Sequence, residues 1–314
     1  MKLLEWKINL DPKYEEGFHY RANLAFNLKD EEPLVIIKES TFDGVLPDIS
    51  INDIEELIDF IERSFLKRKI EGVGLEVGAG PATFSSILAK RDSVREIYAV
   101  EICRPMVELL MPKISNYVLG EKSHKVIGAI GDFDSIELPN ESIDFIFDFF
   151  SFHHSDDLAK TLKECYRVLK KSGFVLCLDK ARPNNFNKKD LDELLDTEYG
   201  ENFKRRIGIP INQKLTRRMN DEKEYRLKDW TAAFKEAGFA KVDYFYLDKT
   251  SGGKISRIIK SLISLIPPKL QVYVNKFLPE PKHDHKFILS STNRVYSRFV
   301  NPFRKEISLL IAYK

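Results

Sequence analysis

Cysteine is scarce in this chain of 314 residues: there are three, Cys103, Cys165 and Cys177, far apart. An odd number at such intervals builds neither a disulfide framework nor a zinc site, and the three read as small buried apolar residues. Long apolar runs are missing as well. No stretch approaches the roughly 18 residues of a membrane span. The opening MKLLEWKINLDPKYEE interrupts its few apolar residues with Glu5, Lys7 and Asp11, so it lacks the continuous apolar stretch of a secretory signal. The expected setting is the cytoplasm. Internal repeats and low-complexity tracts are absent too, which leaves an ordinary globular chain.

Apolar residues make up 43% of the sequence, enough to bury a full core. The formal net charge of +2 hides a segregation. Residues 241–314 hold fourteen Lys and Arg against five Asp and Glu, a balance of +9, which leaves −7 for residues 1–240. The C-terminal part is expected either to face something anionic or to present a solvated charged face.

Between residue 71 and about residue 180, short β-branched runs alternate with longer amphipathic stretches, the pattern of βαβ units and a parallel sheet. Strands are predicted at 73–77, 96–100, 126–130, 142–149 and 174–179, with helices near 83–90, 105–117 and 158–169. Pro105 suits the first turn of its helix, where the missing N–H is no loss. Ahead of this core, Asn52 followed by Glu55 reads as a capping box, and Ile54, Leu57, Ile58, Ile61 and Phe65 repeat at helical spacing. The first fifty residues read as strand-like and irregular pieces, WKIN and LVIIK among them, that cover the core. Residues 182–227 are polar and rich in Asn, Lys and Arg. A helix near 227–237 stopped by Gly238, a strand at 242–247 and a last strand at 307–313 follow.

The stretch LEVGAGPATF, residues 75–84, ends a strand in two glycines and turns at once into a helix. Such a bend lets backbone approach a ligand beside the partial positive charge of a helix N-terminus. The dinucleotide fingerprint demands G-x-G-x-x-G, and Gly78 and Gly80 are followed by Pro81, Ala82 and Thr83, so NAD fits poorly. The carboxylate of Glu101, about twenty residues beyond the glycines at the end of YAVEICRPM, is placed to accept hydrogen bonds from ribose hydroxyls.

The stretch resembles the acidic-x-Gly-x-Gly motif of class I S-adenosylmethionine-dependent methyltransferases, and over about residues 70–180 the order of pieces is similar to that family. Glu76, Gly78 and Gly80 fit its pattern, while Ala82 stands where many members carry a third Gly. GAIGDFDSIELP resembles the next motif, in which an acid bonds the adenine amino group and its neighbour lies against the ring; Asp132 and Phe133 hold those positions. SIDFIFDFFSFHHSDD is similar to the fourth strand and its following loop, and ECYRVLKKSGFVLCLD to the helix, turn and fifth strand of the type 11 subgroup. The resemblance implies a Rossmann-like seven-stranded α/β sheet with helices on both faces and S-adenosylmethionine as cofactor. It implies cofactor contacts for Glu76, Gly78, Ala79, Gly80, Glu101, Ile102, Asp132, Phe133 and Asp148. The expected organisation is an N-terminal extension at 1–66, a methyltransferase core at 67–247 with an acceptor-side insertion at 182–227, a basic amphipathic insertion at 248–305, and a final core strand at 306–314.

Methyl transfer is an in-line displacement, so the protein's work is to position the acceptor and exclude water. For a hydroxyl acceptor a general base near the methyl helps, and His153 and His154 lie in the loop that borders the site in the family; the expectation is His154 as base with Asp156 as its orienter. Neither His153, His154 and Asp157 nor His283 and His285 show a recognised metal-ligand spacing, so no metal is expected. In KISRIIKSLISLI, residues 254–266, Ile255, Ile258, Ile259, Leu262, Ile263 and Ile266 share one helical face. It reads as a lid on its own domain or on a second copy in a homodimer, an interfacial helix on an anionic membrane, or a cap over a lipid-bearing substrate. Lys204, Arg205, Arg206, Lys214, Arg217 and Arg218 favour phosphate or carboxylate on the acceptor. No stacking-aromatic pattern or RNA-binding module accompanies them, so nucleic acid is not the expected partner. The expected function is methyl transfer to a small-molecule or lipid-linked, anionic acceptor. The alternatives are an RNA or protein methyltransferase and a non-catalytic, cofactor-binding regulatory subunit.

Overall fold

Valine, isoleucine and phenylalanine crowd the predicted strands, and in the computed structural model they assemble a single sheet. The structure describes residues 1–8, 15–42, 50–66, 68–182, 184–249, 287–290 and 307–314. Among these, nine strands occur: β1 (Lys2–Glu5), β2 (Gly72–Val77), β3 (Val94–Glu101), β4 (Val126–Ile130), β5 (Ile143–Phe149), β6 (Leu169–Asp179), β7 (Lys241–Lys249), β8 (Phe287–Ser290) and β9 (Ile307–Tyr313). Their order across the sheet is β1-β4-β3-β2-β5-β6-β9-β7-β8. From β1 to β6 every neighbouring pair is parallel, whereas β9 runs antiparallel to both β6 and β7, and β8 antiparallel to β7. The expected seven-stranded sheet is thus β2 to β7 with β9, and β1 and β8 extend its two edges.

Strands buried on both faces read as near-continuous apolar runs, and β4 (VIGAI) is buried throughout. One face of the sheet carries α3 (Ile51–Ile61), α4 (Thr83–Ala89) and α5 (Met111–Leu119), the other α6 (Leu158–Val168) and α9 (Leu227–Ala237). Leu75 and Val77 of β2 pack with Leu162, Cys165 and Trp230 on the second face. On the first, the Phe84 ring of α4 lies 5.1 Å from Phe147 and 4.3 Å from Phe149. Gly238 closes α9 at φ +108°, with Gly238 N–H donating to the Lys235 carbonyl and Phe239 N–H to that of Phe234.

The N-terminal fifty residues depart from the expectation of irregular pieces. LVIIK is not strand-like: Pro33 starts α2 (Pro33–Ile37), which buries Ile36 and Ile37. Trp6 to Ile8 of WKIN form no strand either, because pairing with β4 is made by KLLE and ends with Trp6 N–H on the Ile130 carbonyl at 2.8 Å, and Asn9 lies outside the described residues. Between them runs α1 (Glu15–Leu28). A run of apolar residues with β-branches has no period of its own, and here proline at the first turn decides for helix. The cap of α3 is also displaced from expectation. Ser50 and Asp53 form the reciprocal box, while Glu55 reaches out to the Lys90 ammonium at 2.5 Å. The predicted helix at 254–266 lies outside the described residues.

Candidate functional site

The strand register brings the sequence-predicted residues to one edge of the sheet. Val77 pairs with Val100 and with Asp148, Glu101 with Ile130, and Asp148 with Cys177, so the loops that follow β2, β3, β4, β5 and β6 leave the same end. In an open α/β sheet this is where ligands bind.

The bend after β2 turns through three left-handed residues, Gly78 (φ +58°), Gly80 (φ +53°) and Ala82 (φ +60°). The two glycines are needed for different reasons. A Cβ on Gly78 would stand 2.3 Å from Ser151 Oγ, so this glycine lets the loop after β5 close on the bend, where Ser151 Oγ donates to the Gly78 carbonyl at 3.0 Å. A Cβ on Gly80 would meet no atom within 4 Å, so this position faces open space. Ala79 N–H donates to the Val100 carbonyl, and Ala79 itself is buried.

Four carboxylates surround the bend, and they do not do the same thing. Glu76 is enclosed beneath α4 and accepts from Ser85 N–H at 2.6 Å and from the Ser85 hydroxyl. Burial pushes its carboxyl up to about 8 despite those bonds. Glu101 is also buried, and its two oxygens accept Gly80 N–H and Cys103 N–H, each at 2.9 Å, while the Arg21 guanidinium of α1 approaches to 3.7 Å. Asp132 is half-buried and accepts Asp134 N–H at 2.8 Å; burial raises its pKa. Ile102 and Phe133 are likewise half-buried, with the Phe133 ring edge-on to Phe152 at 6.4 Å. Asp148 is wholly enclosed. Its oxygens take Ser151 N–H, Phe152 N–H and the Cys177 thiol, which makes it the internal brace of the loop after β5 and gives it no surface toward a ligand. Burial, and then the neighbouring Asp179, hold its pKa well above the usual range.

The histidine pair is arranged differently from the sequence expectation. His153 is 3% exposed, and its Nδ1 lies 2.8 Å from Asp179 Oδ1 while its backbone N–H donates to Asp179 Oδ2 at 3.1 Å. His154 Nδ1 pairs with the Asp221 carbonyl at 3.0 Å, and the two rings lie 4.3 Å apart. Asp156, expected as the orienter, is exposed and pairs with Lys223 at 2.9 Å. The carboxylate that orients a histidine comes from the end of β6 instead, where Asp179 is fully buried and bonds both the ring and the main chain of His153. Burial, and then Lys180, depress the His153 pKa well below its ordinary value; burial, and then His153, do the same for His154.

Beside this pair lies a charged cluster of which motif reading singled out Arg217 alone. Lys180 bonds Glu222 at 2.5 Å and reaches Glu224 at 3.4 Å; Arg217 bonds both glutamates at 2.7 and 2.5 Å; Arg182 Nη2 donates to Glu224 at 3.0 Å. The Tyr199 hydroxyl donates to Glu222. Burial opposes ionisation of Glu224, but Arg182 and Lys180 outweigh it and bring the carboxyl to about 2. Most of the basic residues singled out at 204–218 are likewise committed: Lys204 to Glu198, Arg205 to Glu201, Arg206 to Glu39 and Arg218 to Asp192 and Asp196. Among the described residues no group of three or more His, Cys, Asp or Glu is placed to hold a metal ion, and no helix is long and apolar enough to cross a membrane. His283 and His285 lie outside the described residues.

The strand order, with β9 inserted antiparallel between β6 and β7, and the glycine bend at the switch between β2 and its neighbours define the class: a Rossmann-like methyltransferase fold. A family described as a methyltransferase domain matches residues 75–177, and this stretch belongs to the S-adenosylmethionine-dependent methyltransferases. A demethylmenaquinone methyltransferase of Roseiflexus castenholzii is 32% identical over 114 residues, 36% of this chain and 44% of that protein. An uncharacterized methyltransferase, YcgJ, of Bacillus subtilis is 30% identical over 111 residues, 35% and 42% of the two chains. The match therefore spans less than half the length of these curated relatives. Among solved structures, phosphoethanolamine N-methyltransferase 2 of Haemonchus contortus, in complex with S-adenosyl-L-methionine, superposes with a TM-score of 0.50 at 15% identity, covering 93% of this chain and 60% of that one. That likeness is one of fold.

Proposed function

We propose that the chain is an S-adenosylmethionine-dependent methyltransferase that binds its cofactor over the bend at Gly78–Gly80 and methylates a small or lipid-linked, anionic acceptor. The observation that carries this reading is the conjunction of Gly80, open on its ligand side, with Glu101, whose carboxylate is tied to Gly80 N–H. Glycine at that point removes the Cβ that would stand between backbone and ligand. Bound S-adenosylmethionine supplies an electrophilic methyl on a sulfonium. The chain's own residues then have separate tasks. Glu101 receives the ribose hydroxyls, Asp132 the adenine amino group, and Phe133 and Ile102 flank the ring. Ala79 and Gly80 carry the methionine end. Glu76 and Asp148 hold their loops from behind.

The acceptor side of the reading rests on the relatives and on charge. The relatives' names give demethylmenaquinone and a malonyl group carried on acyl carrier protein as their acceptors. The anionic character rests on the excess of Lys and Arg in residues 241–314. The 204–218 cluster adds less than its composition promised, since most of its cations are already paired.

Titration calorimetry with S-adenosylmethionine, S-adenosylhomocysteine and NAD tests the cofactor assignment. Binding of the first two and not of the third is expected, and no heat with either sulfur compound removes the proposal. Transfer of a labelled methyl group into water-soluble and lipid extracts separately then separates a free acceptor from a lipid-linked one.

A further inference from the structure

We propose that Arg21 of α1 receives the acid group of the acceptor, a carboxylate or a phosphate, and that its ion pair with Glu101 withholds it until the cofactor is seated. The inference rests on the methyltransferase reading and assigns the anionic group to a particular residue. Its basis is the position of α1. Leu24, Ala25 and Leu28 seat this helix in the core with Val107 and Leu110, on the helical turn Met106–Leu110 that follows β3. On its other flank Asn27 Nδ2 donates to the Arg206 carbonyl at 3.3 Å, and Asn23 Nδ2 stands 3.8 Å from where a Cβ on Gly208 would lie. One helix thus joins the strand end that carries Glu101 to the segment between β6 and α9. Arg21 acts on both sides of that span. Its Nη1 is 3.7 Å from Glu101 Oε1. Across the crevice, burial, His153 and then Arg21 depress His154, while Lys223 and Arg21 oppose the rise that burial gives Asp221.

The pair with Glu101 differs from those of the neighbouring cations. Lys180, Arg182 and Arg217 are largely enclosed and hold carboxylates at 2.5, 3.0 and 2.7 Å. At 3.7 Å Arg21 is attracted to Glu101 without a hydrogen bond, and with 38% of its side chain exposed it is free to turn while its main chain stays in place. Glu101 has no such freedom. Its oxygens accept Gly80 N–H and Cys103 N–H, each at 2.9 Å, which takes two of the roughly four lone-pair directions of a carboxylate. The remaining two are those left for ribose hydroxyls, and Arg21 stands at the oxygen that carries one of them. Once both are filled, the guanidinium has lost its direct partner among the described residues. A charge left so in a half-closed crevice is unfavourable. Its planar fork of N–H donors matches a carboxylate or phosphate at two points, so an acceptor bearing either group supplies the missing partner. A neutral acceptor does not. Cofactor and acid group are therefore coupled through Arg21, and by reciprocity each raises the affinity for the other by the same factor.

The test is titration calorimetry of the full chain with S-adenosylhomocysteine at fixed pH and ionic strength, in the presence of benzoate, phenyl phosphate or the neutral benzyl alcohol. One of the two acids is expected to tighten S-adenosylhomocysteine binding by about fivefold or more, and the alcohol to change it by less than about twofold. The acid that acts tells carboxylate from phosphate. Arg21→Gln should abolish the coupling and bind S-adenosylhomocysteine alone at least as tightly as the native chain, because the competing ion pair is gone. Arg21→Lys keeps the charge without the fork and should lose most of the coupling; if Arg21→Gln does not fold, this variant decides. Arg205→Gln, at the exposed pair with Glu201, should leave the coupling intact. Coupling that survives Arg21→Gln or is undiminished in Arg21→Lys overturns the proposal, as does equal tightening by the alcohol. Weaker S-adenosylhomocysteine binding by Arg21→Gln alone would make Arg21 a cofactor ligand and overturns it too. Native chain that binds S-adenosylhomocysteine with no response to either acid defeats the role of Arg21 and leaves the methyltransferase standing; no binding under any condition removes the methyltransferase reading itself.

Discussion

The two sides of the crevice are made from different materials. The side at the β2 bend is mostly backbone: three left-handed residues within five, a glycine with nothing in front of it, and two carboxylates spent on main-chain N–H groups. The side at the end of β6 is mostly side-chain charge: Lys180, Arg182, Arg217, Glu222 and Glu224 enclosed together with Asp179 and His153. A backbone cradle is specified by a handful of adjacent residues. A charge cluster is specified by partners some forty residues apart, such as Arg182 and Glu224, and stands or falls as a set.

The largest effect should come from breaking the set. Glu224→Ala strands Arg182 and Arg217 without their shared carboxylate, and chemical denaturation should register a loss of about 3–5 kcal/mol. Gly78→Val comes next. It drives a side chain into Ser151 at a positive φ and should lower stability by about 3 kcal/mol, read as a shifted denaturation midpoint. Gly80→Val sharpens the contrast, because there the added atoms meet nothing of the protein. Stability should fall by only about 1–2 kcal/mol from the left-handed backbone, while calorimetry should show S-adenosylmethionine affinity reduced by at least about 100-fold. If Gly80→Val proves the more damaging fold mutation, the two glycines have been assigned the wrong way round.

A further effect is one of pH. Glu76 titrates at about 8 in the folded chain against an ordinary 4.5. Between those values the unfolded chain has released a proton that the folded chain still holds, so the contribution to stability is fully present below about 4.5 and is lost as pH rises through 8. Glu76→Gln should flatten this fall. Denaturation midpoints at pH 5, 7 and 8.5 should show the variant gaining on the native chain as pH increases; parallel lines would mean that Glu76 is ionised in place.

This division also explains what could be seen in the sequence. The strands and helices between residues 71 and 180 were legible because period-2 and period-3.6 patterns alternate there with few interruptions, and the Gly78–Gly80 bend announces itself through residues that are neighbours in the chain. The first fifty residues were not, since LVIIK suits helix or strand equally until Pro33 decides. Asp156 was the nearest carboxylate to the histidines in sequence, and Asp179 the one in space. One signal for Asp179 was available: it ends its strand as Glu101 ends β3, at the edge where the functional acids gather. For Arg21, which approaches Glu101 from a helix eighty residues upstream, the sequence held no signal at all.

The seat of β9 carries a consequence for how the molecule is made. Because β7 bonds to β9 and β8 and never to β6, it cannot dock on the six parallel strands when it leaves the ribosome. Until residues 307–313 arrive to slot between them, the nascent chain holds an open, apolar sheet margin along β6, the kind of edge that recruits stray strands. A newly synthesised copy is therefore most exposed to misassembly at the margin that bears Asp179, and that wall of the crevice is the last to be built.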